Sequence, residues 1–133
     1  MTLDDPRIQK FLATKKTVVL ATVQTDGAPL AMAMWVLHDP TTLTMISEAN
    51  TQKVRNLRRD PRVSVVAEVS DPICGVAVQG RAEFLPDGEA RRALVDRFHA
   101  KYPALEEFWK GRAMPADRVM FRIVPARVRS WGL

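Results

Sequence analysis

Asn50-Thr51-Gln52-Lys53-Val54-Arg55-Asn56-Leu57-Arg58-Arg59-Asp60-Pro61-Arg62 is the stretch on which the reading of this chain turns. A strand-like run, Leu43-Thr44-Met45-Ile46-Ser47, precedes it, and another, Val63-Ser64-Val65-Val66-Ala67, follows. Residues 53–62 hold five basic side chains and one acid, a local charge of +4 in a chain of net charge +5. The segment predicts a short helix, capped by Asn50 or Thr51 and ended before Pro61, which disfavours helix at the residue preceding it. Such a helix presents free N–H groups and a positive dipole end. With Lys53 and Arg55 in its first turns it suits a phosphate or another small anion. A charge run on a short helix is more often a solvated face, and at this level both readings stand.

Working outward, residues 4–14 read as a helix with Asp4 or Asp5 as cap, Pro6 in its first turn, and Ile8, Phe11 and Leu12 on one face. The β-branched run Thr17–Val23 and the run Leu30–Leu37 flank Thr25-Asp26-Gly27, a strong hairpin signal. In the second run large residues alternate with Ala31 and Ala33, which leaves room for something flat near the backbone. A third strand covers 42–47 and a fourth 62–69. Asp71-Pro72 breaks the run, and a fifth strand covers 74–85, with Gly75 and Gly80 marking bulges or close backbone approach. Residues 88–100 follow helical spacing behind an Asp87 cap, and a second helical piece covers 104–111. The last strand runs from Arg118 to Trp131, with Pro125 at a bulge. Six strands in hairpin order with inserted helices argue for a mainly β, small antiparallel barrel and against a doubly wound parallel sheet. A barrel of this size cannot enclose a cofactor, so a ligand would lie outside it, in a groove that a second subunit could complete. Met32, Met34, Ile73 and Val76 are the apolar residues expected to need cover in a homodimer.

With 133 residues, 47% hydrophobic and 26% charged, the chain is expected to be a single globular domain spanning 1–133. No apolar stretch is long enough to span a membrane, and the start Met1-Thr2-Leu3-Asp4-Asp5-Pro6 has acids where a secretory signal needs a basic, then apolar, run. A cytoplasmic location is the expectation. The single cysteine, Cys74, excludes an internal disulfide and a cysteine-based metal cluster. The pI near 9.9 raises nucleic acid as a partner. Binding by charge needs a broad basic stripe, often with interleaved aromatics, whereas here the excess sits in one short helix and all three tryptophans lie outside it. The expectation is no nucleic acid and no membrane as partner.

Catalytic constellations are scarce. His38 beside a turn and His99 near a helix end form no metal-spaced pair, and Ser47 and Ser64 lack a nucleophile-elbow context. Hydrolysis and most group transfers need a nucleophile, a metal or tuned acid–base groups. Hydride transfer from a flavin-type cofactor needs chiefly orientation and a dry pocket, because the cofactor carries the chemistry. No catalytic side chain is assigned.

The pattern of strand, polar turn, then Lys-Val-Arg-Asn-Leu-Arg-Arg-Asp-Pro-Arg-Val resembles the pyridoxamine-phosphate-oxidase-like split-barrel proteins that bind flavin. Within them it is most similar to the branch using the deazaflavin coenzyme F420, and the likeness runs from about Phe11 to Trp131. The resemblance implies a six-stranded antiparallel split β-barrel of Greek-key type with a few short helices, acting as a homodimer. It implies F420, or FMN in its place, as cofactor, and an oxidoreductase that passes hydride to a small planar or unsaturated substrate. Lys53 matches the family's phosphate-binding lysine and Arg55 a neighbouring basic position. Ser47, Asn50, Thr51 and Gln52 occupy the polar loop around ribityl and phosphate groups. Met34, Trp35 and Val36 lie on the strand whose backbone faces the ring system. Ile73 and Gly75 fall in the 73–76 segment that the family brings in from the partner subunit. Thr51 stands where some deazaflavin binders place another basic residue. The longer arginine-containing FMN motif of true pyridoxamine-phosphate oxidases is absent, so the resemblance does not extend to vitamin B6 oxidation. The rival reading is a non-catalytic protein of the same fold that holds flavin, haem or a tetrapyrrole.

Overall fold

The computed structural model describes residues 1–133. Its centre is one antiparallel sheet of seven strands: β1 (Thr17–Val23), β2 (Pro29–Trp35), β3 (Leu37–His38), β4 (Leu43–Glu48), β5 (Arg62–Ser70), β6 (Ile73–Leu85) and β7 (Arg118–Trp131). The strand order is β2-β1-β5-β6-β7-β4-β3. Because β4 returns to lie beside β7, the run β5-β6-β7-β4 has the Greek-key arrangement. The sheet curls into a half-barrel around a core that includes Leu20, Val36, Met45, Phe121 and Ile123, all fully buried. Four helices decorate it: α1 (Pro6–Ala13), α2 (Gln52–Arg59), α3 (Glu89–Lys101) and α4 (Leu105–Trp109).

The strand count corrects the expected six. The run 30–37 is interrupted at Val36, whose N–H donates to the Tyr102 hydroxyl at 2.9 Å and whose carbonyl accepts from Lys101 Nζ at 2.7 Å. With its backbone groups taken by side chains from the end of α3, Val36 leaves the β1 ladder. Leu37 and His38 then pair with Thr44 and Leu43 of β4. One sequence run therefore serves both edges of the open sheet.

Several local signals act as read. Asp5 caps α1 by accepting from Arg7 N at 2.9 Å. Thr51, of the two candidates, caps α2. The β6–β7 ladder slips between Gln79 and Gly80, where Gly80 faces Pro125 and Gln79 faces Arg127, leaving Ala126 as the bulged residue. Gly80 is required there because a Cβ would overlap the Val124 carbonyl oxygen. The expected Asp87 cap on α3 is not made: Gly88 holds the cap position without a side-chain bond, and Asp87 instead faces Arg91 at 3.4 Å and Arg92 at 3.7 Å. Of the four apolar residues expected to need cover, Met34 and Val76 are already buried in the chain's own core, while Met32 and Ile73 are exposed.

Helices α3 and α4 form the excursion between β6 and β7. Leu37, Leu85, Val95, Phe98, Tyr102, Leu105 and Met120 make a second apolar cluster beneath them. Tyr102 links this layer to the sheet: its hydroxyl donates to Lys16 O at 2.6 Å, and its ring stacks on Trp35 at 4.3 Å between centroids, 1° from parallel.

Candidate functional site

A cleft of about 390 Å³ opens in the split between β2 and β4. Its walls are Ala33, Met34 and Trp35 of β2, Ile46, Ser47 and Glu48 of β4, Thr51 and Lys53 at the start of α2, Phe98, Leu105 and Trp109 of the inserted helices, and Arg118 at the start of β7. The cleft has two ends of different chemistry. Trp35, Phe98, Leu105 and Trp109 make one end aromatic and apolar, whereas Ser47, Glu48, Thr51, Lys53 and Arg118 make the other polar and charged. The volume lies in the range of small-molecule and cofactor sites.

The polar end is built from the turn between β4 and α2. Thr51 Oγ1 donates to Glu48 O at 3.1 Å and accepts from Val54 N at 3.4 Å, which starts the helix beside the cleft. Ser47 Oγ donates to Glu48 O at 3.0 Å. Below the turn, Val54, Asn56 and Leu57 are buried against the sheet, and Asn56 Nδ2 donates to Thr22 Oγ1 at 3.0 Å. This inward face fixes which basic residues point elsewhere.

Among the five basic residues of 53–62, only Lys53 lines the cleft. Arg55 donates to Asn50 Oδ1 at 3.0 Å and Gln52 Oε1 at 3.2 Å on the exposed side of the turn. Arg58 lies 4.3 Å over the Phe84 ring, Arg59 donates to Val23 O, and Arg62 pairs with Asp60 at 2.7 Å. The Arg62 guanidinium, above all by hydrogen bonding, holds the Asp60 carboxyl down at about 2. The solvated-face reading therefore describes four of the five charges. Lys53 is different: it is half-buried, and its Nζ has the Met34 thioether at 3.4 Å as its hydrogen-bond partner, with no carboxylate in ion-pair range. Burial pushes its ammonium below the ordinary lysine value, and the charge of Glu48 offsets part of that.

The other expected residues are placed as follows. Met34, Trp35, Ser47 and Thr51 share the cleft with Lys53. Asn50, Gln52 and Arg55 sit on the outer side of the turn, where Gln52 Nε2 donates to Asn56 Oδ1 at 2.8 Å. Val36 is fully buried with both backbone groups occupied. Ile73 and Gly75 stand on β6, outside the cleft of their own chain. Ile73 is 73% exposed, and Gly75 lies under the Trp131 indole, which a Cβ would strike. His38, bound to Gln9 at 2.8 Å, and His99, bound to Arg112 O at 2.8 Å, lie outside the cleft as well.

Sequence reasoning missed Glu48, Phe98, Leu105, Trp109 and Arg118. Arg118 is one of four arginines in the last strand, with Arg122, Arg127 and Arg129, and its place depends on the β4–β7 register, in which Glu48 faces Arg118. The aromatic wall depends on how the excursion folds back, which no local pattern encodes.

Comparison with known proteins places this half-barrel in a family. The family model described as pyridoxamine 5'-phosphate oxidase matches residues 4–132, and the chain belongs to this family. A conserved hypothetical protein from Mycobacterium tuberculosis, Rv2991, is 33% identical, with 96% of this chain and 83% of that one covered and a TM-score of 0.80. A protein named as an F420 reductase is 27% identical, covering 91% of this chain and 94% of its own, at a TM-score of 0.67. A FAD-binding protein from Mesorhizobium loti is 25% identical over 93% of this chain and 89% of its own, at 0.74. No helix of the chain is long and apolar enough to cross a membrane.

Proposed function

We propose that the chain is an oxidoreductase that binds F420 or FMN in the split cleft and directs hydride to a small planar or unsaturated substrate. The observation that carries this reading is Lys53: a half-buried ammonium at a helix start, facing a cleft, with a thioether as its near partner. A protein has little reason to desolvate a lysine without a counter-ion unless an anion arrives from outside. The first-turn N–H groups of α2 supply further donors for a phosphate. The aromatic end, with Trp35 braced flat against Tyr102, suits a fused ring system. F420 stands first because the F420 reductase is a 27% identical neighbour over nearly all of both chains. When bound, either cofactor would supply the hydride chemistry. The chain's own part is to hold the phosphate at Lys53, lay the ring against the wall of Trp35 and Trp109, and exclude water from that end. No histidine lines the cleft, so the haem reading gains no support from it.

The reading includes a second copy of the chain. On the outer face of the sheet, Ala33, Val19, Val66 and Ala77 stand directly opposite one another across β2, β1, β5 and β6. Val19 is 40% and Val66 36% exposed, and Ala33 also lines the cleft, so the face runs into the site. A partner seated there would complete the open side and could bring Ile73 and Gly75 towards it. The test is a fluorescence titration of the purified protein with F420 and FMN, with light scattering of the same samples. Micromolar or tighter binding by a dimer is expected. Absence of binding by both cofactors overturns the cofactor reading, and a cofactor-loaded monomer overturns the dimer.

A further inference from the structure

The charged end of the cleft holds a second cation, and it is not on the basic helix. The Arg118 side chain is 21% exposed, while its partner across the β4–β7 ladder, Glu48, is 67% exposed. Their closest approach is 3.7 Å, longer than the 2.7–2.9 Å usual for a charge-assisted hydrogen bond. Asp117, 75% exposed, takes one edge of the guanidinium at 2.6 Å. The Arg118 side chain is thus mostly covered, and the carboxylates that neutralise it lie on the solvent side. Glu48 also acts on Lys53 through its charge, but at longer range and without forming an ion pair with it. Lys53 and Arg118 against Glu48 and Asp117 leave this end formally neutral, which does not favour a dianion until a carboxylate moves away.

We propose that Arg118 is a second anion-binding residue of the cleft and that Glu48 is its resident counter-ion, displaced when a phosphate group enters between Arg118 and Lys53. The proposal rests on the reading that the cleft takes a phosphate-bearing ligand and names the residues that select for that phosphate. Glu48 is suited to leave because its side chain is mostly in water and its contact is loose, so its release costs little. Arg118 is suited to stay because the β7 ladder begins at its backbone and its planar fork matches two oxygens of one phosphate. A doubly charged phosphate monoester then displaces Glu48 more effectively than a single carboxylate does. Glu48 in this way competes with any anion that enters, and leaves a neutral ligand unaffected.

The experiment measures inorganic phosphate, FMN and riboflavin binding to the purified full chain, using calorimetry for phosphate and fluorescence for the flavins. Riboflavin carries the same ring without the phosphate. Arg118→Gln is expected to weaken phosphate and FMN by about 10-fold, with riboflavin unchanged. Glu48→Gln is expected to strengthen phosphate and FMN by roughly 3- to 10-fold, again without effect on riboflavin. In the Arg118→Gln background most of the Glu48→Gln gain disappears, because the two residues act on one anion. Thermal unfolding in phosphate-free buffer checks that the variants fold. Phosphate binding that ignores Arg118, a loss of affinity in Glu48→Gln, an equal loss for riboflavin and FMN, or a wild-type protein that takes no phosphate each overturns the proposal. Wild-type protein that binds phosphate in this pattern but neither flavin would leave the proposal standing and remove FMN as cofactor, and failure to bind F420 as well would sink the cofactor reading. Flavin binding indifferent to both substitutions would do the reverse.

Discussion

Lys53→Met separates a ligand-binding lysine from a structural one, because the two roles move stability and affinity in opposite ways. The Met side chain keeps the length and packing of the lysine stem and removes only the ammonium. In the ligand-free protein that ammonium has the Met34 sulfur at 3.4 Å, and burial holds its pKa below the ordinary 10.5. A lysine whose folded pKa is depressed opposes folding at neutral pH. The penalty is full below the folded pKa and fades as pH rises through it towards 10.5. The apo variant should therefore unfold at the same temperature as wild type or higher near pH 7, and the difference should shrink on going to alkaline pH. Ligand affinity should move the other way. A charge-assisted contact is worth about 1.5–3 kcal/mol, so FMN or F420 should bind roughly 10- to 150-fold more weakly to the variant. Wild-type affinity should also fall as pH rises through the Lys53 pKa, a dependence the variant lacks. Paired thermal melts and fluorescence titrations across pH read both quantities. A variant that is less stable without ligand but binds as tightly as wild type would refute the argument, and Lys53 would then be a residue of the fold.

Two further substitutions probe the scaffold that shapes the cleft. Gly80→Ala puts a methyl against the Val124 carbonyl oxygen and 3.0 Å from Pro125 Cα, so the β6–β7 bulge must shift. A loss of about 1–3 kcal/mol in denaturant unfolding is expected, with a wild-type value counting against the overlap. Tyr102→Phe keeps the ring stacked on Trp35 but removes the acceptor for Val36 N and the donor to Lys16 O. About 1–3 kcal/mol of stability should be lost, since the buried Val36 N–H has no other partner. Undiminished stability would mean that the Val36 break does not depend on the hydroxyl.

Local chemistry made much of this architecture legible. Asp26-Gly27 turned β1 into β2, Thr51 began the basic helix, Asp60 and Pro61 ended it, and Gly80 with Pro125 marked the bulge. Each of these acts through its own backbone or its immediate neighbours. The features that escaped were set at long range. The strand break at Val36 answers to Tyr102, 66 residues further on. The Asp87 cap is a local exception, lost to two arginines four and five residues on in the helix that follows, a competition that the capping pattern does not rank. Lys53 could be singled out, but its four basic companions could not be discounted until Phe84, Val23, Asn50 and Asp60 were seen to hold them. Arg118 and Glu48 were unreadable as a pair, because only the sheet register sets them opposite each other.

The excursion between β6 and β7 leaves the sheet after Leu85 and rejoins it at Arg118, and Leu85 pairs with Met120 in the same ladder. Its two ends are therefore anchored on neighbouring strands, with Arg118 two residues from the partner of Leu85, whatever lies between them. Residues can be added to or removed from such a segment at a cost that grows only slowly with length, and no register elsewhere has to change. The same segment furnishes Phe98, Leu105 and Trp109 to the cleft and sets Trp35 through Tyr102, while Lys53, Thr51 and Ser47 come from elsewhere. The molecule is thus divided into a fixed grip and an exchangeable face. Grafting a different helical excursion between Leu85 and Arg118, with Lys101 and Tyr102 kept to hold Val36, would be a route to retune the aromatic end while Lys53, Thr51 and Ser47 stay in place.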